Sequence, residues 1–217
     1  MLRVESLHMR YGAVGAVDDV SFAVERGEAL AIVGESGSGK TALALSVMRL
    51  LPPDATIGPG RIEFGGRDLL GLSEAEMRAI RGAQLAMIFQ EPMTALNPLL
   101  TVARQVGEVL QAHRGLSAQP ARSETLALLQ RVRLRGAEQL LDAYPHELSG
   151  GMRQRVMIAA ALACGPELLI ADEPTTALDV TVQGEILALL AALQAQLGMA
   201  MLFISHDLGA VTAVARR

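Results

Sequence analysis

The segment that most constrains the fold is "ALAIVGESGSGKTALAL", residues 29–45. Its first five residues form an apolar run that is typical of a buried strand. Gly34–Thr41 then follow the spacing G-x-x-x-x-G-K-T, and the residues after them favour a helix. A strand that passes through a glycine loop into a helix predicts an α/β core built around this segment.

The composition of the loop also predicts its ligand. Glycine permits positive φ angles, so the N–H groups of Ser36–Lys40 can converge on phosphate oxygens at a helix start. Thr41 offers a hydroxyl to Mg²⁺, and Lys40 delivers a compact charge between the β- and γ-phosphates. Lys40 is the one lysine among nineteen basic residues, and a planar arginine fork would fit this position differently. The alternative is a flexible glycine turn, which leaves the flanking strand and helix unexplained.

Composition narrows the class of protein. The chain has 217 residues, which suits one domain or one domain with an inserted subdomain. A net charge of −4 and a pI near 5.6 argue against a general nucleic-acid binder. The single Cys164 fits a reducing compartment. No apolar run approaches the roughly 18 residues that span a bilayer, and the start lacks the apolar core of a signal peptide. We therefore expect a soluble, cytoplasmic protein.

Periodicity and turn residues predict the remaining elements. The helix after the loop should stop at Pro52-Pro53, and Ser73 with Glu76 has capping-box spacing for another helix. Residues 99–143 have a helical pattern, which predicts a helical insert at about 91–148 within the α/β core. The predicted strands are 2–10 and 16–24 (antiparallel), a pair within 60–70, 85–89, 167–172 and 199–205, the last two separated by a long helix.

A carboxylate pair follows one of these strands. In "LLIADEP" the apolar residues precede Asp172, so its carboxylate should lie where the strand leaves the sheet, at the edge where α/β sheets bind ligands. Asp172 can then hold Mg²⁺ through water, and Glu173 is placed to orient or deprotonate an attacking water. The alternative is that these residues form only a strand-ending turn.

A second phosphate site is indicated by "YPHELSGGMRQRVMIAAALAC". Ser149 stands where a helix N-cap should be, and Gly150 and Gly151 follow it. A serine hydroxyl and free N–H groups at a helix start can bind phosphate. Because one nucleotide has one triphosphate, two cradles in one chain predict a dimer in which each cradle completes the other chain's site. An ordinary capped helix is the alternative.

Taken together, these motifs resemble the ATP-binding subunits of ABC transporters. "GESGSGKT" resembles their Walker A loop, "LSGGMRQ" their signature, "LLIADEP" their Walker B strand and "TALD" their D-loop. The resemblance implies a P-loop NTPase core with an N-terminal antiparallel β subdomain and an inserted α-helical subdomain. It implies core residues 1–90 and 149–217 and a helical insert at 91–148, with ATP and Mg²⁺ as ligands.

The resemblance also assigns roles to single residues. It implies that Gln90 senses the Mg²⁺-nucleotide, that His206 contacts the γ-phosphate and that Tyr11 stacks on adenine. Catalysis is thus expected from Glu173, His206, Lys40 and Gln90, and metal binding from Thr41, Gln90 and Asp172. The residues expected to contact the nucleotide are Tyr11, Gly34, Glu35, Ser36, Gly37, Ser38, Gly39, Lys40, Thr41, Ala42, Ser149, Gly150 and Gly151.

Longer segments, such as "ADEPTTALDVTVQGEIL", are similar in sequence to members of the oligopeptide, dipeptide and nickel importer branch. This implies a peripheral ATPase at the cytoplasmic face of the inner membrane. Its expected partners are two membrane-spanning permease subunits, a second ATPase subunit (identical or paralogous) and, indirectly, an extracytoplasmic solute-binding protein, with no nucleic acid. We expect Gln90 and the segment 91–98 to face the membrane partner, with Met93 and Leu96 accessible to crosslinking.

Two alternatives remain at this point. Family members continue past the switch histidine, whereas this sequence stops eleven residues after His206. The resemblance therefore predicts a cassette truncated at its C-terminal side, and an inactive structural fragment is one alternative. The other is a soluble ABC-type regulator of DNA repair or translation, which the short insert and the acidic pI oppose.

Overall fold

The structure is a computed structural model that describes residues 1–91, 95–176 and 178–215. Its strands form two sheets. The antiparallel sheet has the order β2-β1-β5-β6, with β4 paired to β1, and the parallel sheet has the order β3-β9-β8-β7. The strands are β1 Leu2–Tyr11, β2 Val14–Val24, β3 Ala29–Val33, β4 Ala55–Ile57, β5 Arg61–Phe64, β6 Arg67–Asp68, β7 Leu85–Ile88, β8 Leu168–Asp172 and β9 Ala200–Ser205.

The antiparallel sheet is built from the alternating N-terminal segments, as the sequence predicts. Leu2, Val4, Leu7 and Met9 of β1 are buried on one side, which is the pattern of a strand with one face on a core. The pairing of β1 with β2 shifts register between Val4 and Leu7, where Ser6 has a φ of 42°. An irregularity of this kind bends the strand and increases its twist.

The parallel sheet brings four strand ends to one edge. Ile88 of β7 pairs with Ala171 of β8, Asp172 pairs with Ile204 of β9, and Val33 of β3 pairs with Ser205. Since the strands are parallel and end at nearly the same level, the residues that follow them converge at the carboxyl edge. Those residues are the loop from Gly34, Gln90, Glu173 and His206.

Helices cover this sheet and form the insert. They are α1 Lys40–Met48, α2 Glu74–Ile80, α3 Val102–Arg114, α4 Ala118–Arg131, α5 Ala137–Leu140, α6 Gly150–Leu162, α7 Val180–Leu197 and α8 Leu208–Val214. The predicted capping box is present at α2, where Ser73 and Glu76 bond reciprocally. The described part of residues 91–148 is helical, with α3 packed on α4 and both on α6. Its status as a separate subdomain stays a prediction.

The helix after the glycine loop ends earlier than the sequence predicts. Helix α1 ends at Met48, and Arg49 caps it in the left-handed region with a φ of 50°. The left-handed backbone of Arg49 ends the helix before Pro52 is reached. A tertiary contact accompanies this end, since the Arg49 guanidinium donates to the carbonyls of Leu69 and Leu72 at 2.9 and 2.5 Å.

Helix α7 is long and apolar enough to cross a membrane, by length and composition only. It has 18 residues and a mean hydropathy of 1.3, although it contains no uninterrupted apolar run of that length. Ile186, Leu189, Leu190 and Leu193 form its buried face, and the helix contacts α6 and α8. Its apolar composition is therefore explained by packing against the core of the domain.

Candidate active site

The glycine loop has a backbone that only glycine permits at two positions. Gly37 and Gly39 have φ angles of 81° and 91°, in the region that other residues rarely adopt. A Cβ on Gly39 would also lie 2.0 Å from the carbonyl oxygen of Ala16 in β2. A Cβ on Gly34 would lie 2.7 Å from Ser38 Oγ, across the loop. The loop is thus a tight cradle that begins at the end of β3 and opens helix α1.

Lys40 lies inside this cradle. Its side chain is largely buried, and Nζ donates hydrogen bonds to the carbonyls of Gly34 at 2.8 Å and Glu35 at 2.7 Å. Nζ also lies 3.8 Å from Glu173 Oε1. An ammonium with three donors can exchange such backbone partners for phosphate oxygens without moving its stem.

Asp172 ends β8 with a carboxylate that lacks a full set of partners. The residue is 1% exposed, and within the described residues its Oδ1 has no hydrogen-bond partner. Burial, and secondarily the charge of Glu173, raise the pKa of Asp172, while the Thr41 side chain and Lys40 act in the opposite direction. A buried carboxylate oxygen without a partner is unfavourable unless a cation binds it. The oxygen ligands of Asp172 and Thr41 therefore fit Mg²⁺.

Glu173 is the centre of the site. Its backbone is left-handed, with a φ of 44°, and its N–H donates to the Ile204 carbonyl at 2.9 Å. This bond ties the turn after β8 to β9. A left-handed conformation in a residue other than glycine is strained, and such strain clusters at functional sites.

The two carboxylate oxygens of Glu173 have different partners. Oε2 accepts hydrogen bonds from Gln90 Nε2 and from Thr176 Oγ1, each at 3.0 Å. Oε1 lies 3.2 Å from His206 Nδ1 and 3.8 Å from Lys40 Nζ. The Glu173 side chain is 10% exposed, whereas that of His206 is 55% exposed. The sheet edge thus gathers side chains that are far apart in the sequence around one buried carboxylate.

A cavity of about 630 Å³ lies at this edge, lined among others by Gly34, Ser36, Gln90, Glu173, Thr176 and His206. All but Thr176 were candidates from the sequence. Thr176 is the first residue of the segment "TALD", and the sequence assigned it no role in the site. The signal that could have found it is its position three residues after Glu173, across a proline, where a hydroxyl can reach back over a turn. Ala177 of the same segment lies outside the described residues.

Tyr11 and the start of α6 do not line this cavity. Tyr11 ends β1, paired with Val14 and Ala55, and its stacking role stays a prediction. Ser149 caps α6, as predicted, by accepting a hydrogen bond from the N–H of Met152 at 3.3 Å. Ser149 and Gly151 border a different cavity, of about 650 Å³, beside Arg133, Arg135 and Arg155. In the described part of a single chain, the start of α6 is not part of the cavity lined by Lys40 or of the cavity lined by Glu173.

Gly151 has a packing role that can be measured. A Cβ there would lie 2.7 Å from Val182 Cγ1 of α7, and the β-branched valine has little rotamer freedom to retreat. Gly151→Ala should therefore lower the free energy of unfolding by about 1–3 kcal/mol through overpacking. Denaturant titration followed by circular dichroism measures this change.

A matched control lies on α7. Nothing is within 4 Å of a Cβ on Gly184, so Gly184→Ala should stabilise the helix by roughly 0.5–1 kcal/mol. In a Val182→Ala background the penalty of Gly151→Ala should disappear. A penalty of the same size in both backgrounds would contradict the proposed contact between α6 and α7.

A glycine loop at the end of β3 and an acidic pair at the end of β8, with β9 between the two strands, define a P-loop nucleotide-binding domain, here combined with an antiparallel sheet and a helical insert. A family model described as "ABC transporter" matches residues 17–176. Because this match spans most of the chain, the protein belongs to the ABC transporter family.

Similar proteins agree with this assignment. "Peptidoglycan transport ATP-binding protein YejF" of Agrobacterium fabrum is 56% identical over 100% of this chain and 41% of its own length. "Dipeptide transport ATP-binding protein DppD" of Bacillus subtilis is 51% identical over 100% of this chain and 66% of its own length. The chain therefore spans about two fifths to two thirds of these relatives.

A solved structure has the same fold. The ATP-binding cassette MJ0796, dimeric and bound to ADP and Pi in a post-hydrolysis state, matches with a TM-score of 0.86 and 29% identity. The match covers 99% of this chain and 91% of that chain. The predicted family and fold class are confirmed by these matches. The sequence-based roles of the single site residues remain predictions.

Proposed function

We propose that this ATPase powers the import of a peptide or a related small solute, such as a dipeptide, an oligopeptide or nickel, through a membrane transporter. Both relatives described above are named as ATP-binding proteins of transport systems, one for peptidoglycan and one for dipeptides. The single observation that carries the ATPase part is the buried Glu173 carboxylate, which lies within 3.8 Å of Lys40 and contacts Gln90 and His206.

The phosphates of ATP would lie on the loop Gly34–Ala42, held by its N–H groups and by Lys40. Tyr11 would stack on adenine. Thr41, Asp172 and Gln90 would hold Mg²⁺, which when bound neutralises charge on the phosphate oxygens. The unpartnered Oδ1 of Asp172 supports this assignment.

Glu173 would act as the general base. The attacking water gives its proton to Oε1 of Glu173 while its oxygen forms the new bond to the γ-phosphorus, and the bond from that phosphorus to ADP breaks. His206, 3.2 Å from the same oxygen, would contact the γ-phosphate. Gln90 would hold the other carboxylate oxygen in place.

Two chains would share each site. Ser149–Gly151 of one subunit would bind the γ-phosphate of the ATP held by the Lys40 loop of the other, in a homodimer or in a heterodimer with a paralogous ATPase. The location of Ser149 on a different cavity from Lys40 supports contact between chains rather than within one. The dimeric MJ0796 cassette supports the same mode of assembly.

The remaining partners follow from the transport role. We infer two membrane-spanning permease subunits, an extracytoplasmic solute-binding protein that delivers the solute to them, and no nucleic acid. The ATPase would be peripheral, on the cytoplasmic face of the inner membrane. The acidic pI near 5.6 supports the exclusion of nucleic acid.

The surface beside Gln90 offers a test of the membrane partner. Leu96 was expected to be accessible, but it is only 5% exposed because it belongs to the hydrophobic cluster that joins the insert helices to the parallel sheet. Met93 lies outside the described residues. Phe89 is 39% exposed and Leu99 is 82% exposed, so they are better positions for a photo-reactive amino acid.

Crosslinking from Phe89 or Leu99 to membrane proteins encoded beside this chain and co-expressed with it should succeed. Val14, the first residue of β2 and 70% exposed, is the matched control and should give little product. Crosslinking that is efficient from Val14 and absent from both other positions would overturn the proposed docking surface.

A further inference from the structure

We propose that Thr176 is a positioning residue that fixes the orientation of the Glu173 carboxylate. The inference rests on the proposed role of Glu173 as the general base. The Thr176 hydroxyl donates to Glu173 Oε2 at 3.0 Å. Among the described residues, the other side chain that donates a hydrogen bond to Oε2 is Gln90, which lies 83 positions from Glu173 in the sequence.

Thr176 makes two hydrogen bonds to Glu173. Its N–H donates to the Glu173 carbonyl at 3.1 Å, which closes a four-residue turn, and its hydroxyl reaches the carboxylate of the same residue. Pro174 has a fixed φ within this turn, and the β-branched threonine has few χ1 rotamers. The bond therefore joins two groups that lose little further freedom in forming it, so it is well suited to hold a carboxylate still.

The contact also makes the two carboxylate oxygens unequal. Oε2 is occupied by the Thr176 hydroxyl and the Gln90 amide, while Oε1 faces Lys40 and His206. A proton taken from water would then go to Oε1, the oxygen that faces the Lys40 loop. Without Thr176 the carboxylate could rotate about its terminal bond, which has a broad torsional minimum.

The two anchors on Oε2 differ in how they reach it. Gln90 follows β7, whereas Thr176 belongs to the same turn as Glu173 and moves with it. If a membrane partner displaces the Gln90 segment, the Thr176 bond would still hold the carboxylate.

Thr176→Val tests this role, because valine keeps the shape of threonine and removes the hydroxyl. With MgATP as substrate, kcat should fall roughly tenfold to a hundredfold, the range for loss of a hydrogen bond to a charged group. The KM and the calorimetric Kd for ATP should stay unchanged, because Thr176 holds the base and not the phosphates. Thr176→Ser keeps the hydroxyl and should retain most of the wild-type kcat.

Thr125→Val is the matched control. Thr125 is fully buried in α4, and its hydroxyl donates to the Ala121 carbonyl at 2.8 Å, away from the site. This change should leave kcat as it is in the wild type, even where it lowers the melting temperature. It separates loss of a buried hydroxyl from loss of the Glu173 contact.

The outcomes are distinct. A wild-type kcat in Thr176→Val, or an equal loss in Thr176→Ser and Thr176→Val, would overturn the positioning role while leaving the proposed ATPase function intact. A loss that appears as a raised Kd for ATP would also overturn it. A different outcome would overturn the proposed function itself, and this inference with it. In that outcome the wild-type chain binds MgATP, but it shows no turnover, or only turnover that Glu173→Gln leaves unchanged.

Discussion

Replacing Glu173 by glutamine should slow ATP hydrolysis by roughly 10²–10⁴-fold, the usual contribution of a general base. Glutamine keeps the length of glutamate and its contacts with Gln90 and Thr176, but it cannot take the proton of water. ATP should then persist between two subunits and hold them as a dimer. Light scattering with MgATP measures the mass, and phosphate release measures the rate.

The companion change separates catalysis from assembly. Ser149→Arg, added to Glu173→Gln, removes the N-cap hydroxyl and places a large side chain at the helix start that should meet the ATP of the partner. The double variant should remain monomeric while it still binds ATP on the Lys40 loop. A Glu173→Gln protein that binds ATP without hydrolysing it, yet stays monomeric even with a paralogous subunit present, would exclude the shared site.

Replacing Lys40 by alanine should abolish turnover and weaken ATP binding by roughly tenfold to a hundredfold, because a charge-assisted contact to phosphate is lost. The fold should persist, since the hydrogen bonds of Nζ go to carbonyls of its own loop, those of Gly34 and Glu35. Isothermal titration calorimetry measures the affinity, and circular dichroism checks the fold.

Lys40→Arg is the informative control for this change. Arginine keeps the positive charge, and it is the residue at every other Lys or Arg position of the chain. Its planar guanidinium is wider than the ammonium of lysine. We expect it to bind ATP better than Lys40→Ala and still to turn it over poorly. Turnover equal to the wild type in Lys40→Ala would mean that this loop does not hold the phosphates.

The parallel core could be predicted from the sequence because its signals are local. Apolar runs at β3, β8 and β9 lie next to a glycine loop, an acidic pair and a histidine, and parallel strands bring whatever follows them to one edge. The caps at Ser73 and Ser149 could be predicted for the same reason, since a cap depends on residues three positions apart.

Tertiary contacts account for what the sequence did not predict. Helix α1 ends at a left-handed arginine whose side chain bonds to a segment twenty residues away, and no local pattern records this contact. The burial of Leu96 depends on a hydrophobic cluster that joins the insert helices to the parallel sheet. The role inferred for Thr176 depends on the left-handed backbone of Glu173. Glutamate rarely adopts this conformation, so the sequence does not indicate it.

The most direct test is the structure of Glu173→Gln bound to MgATP. We expect two chains with two ATP molecules, each with its phosphates on one subunit's Gly34–Thr41 loop and its γ-phosphate against Ser149 of the partner subunit. Residue 173 should lie beside the position from which water attacks the γ-phosphate. A nucleotide bound wholly within one chain, or with its γ-phosphate directed away from residue 173, would contradict this account.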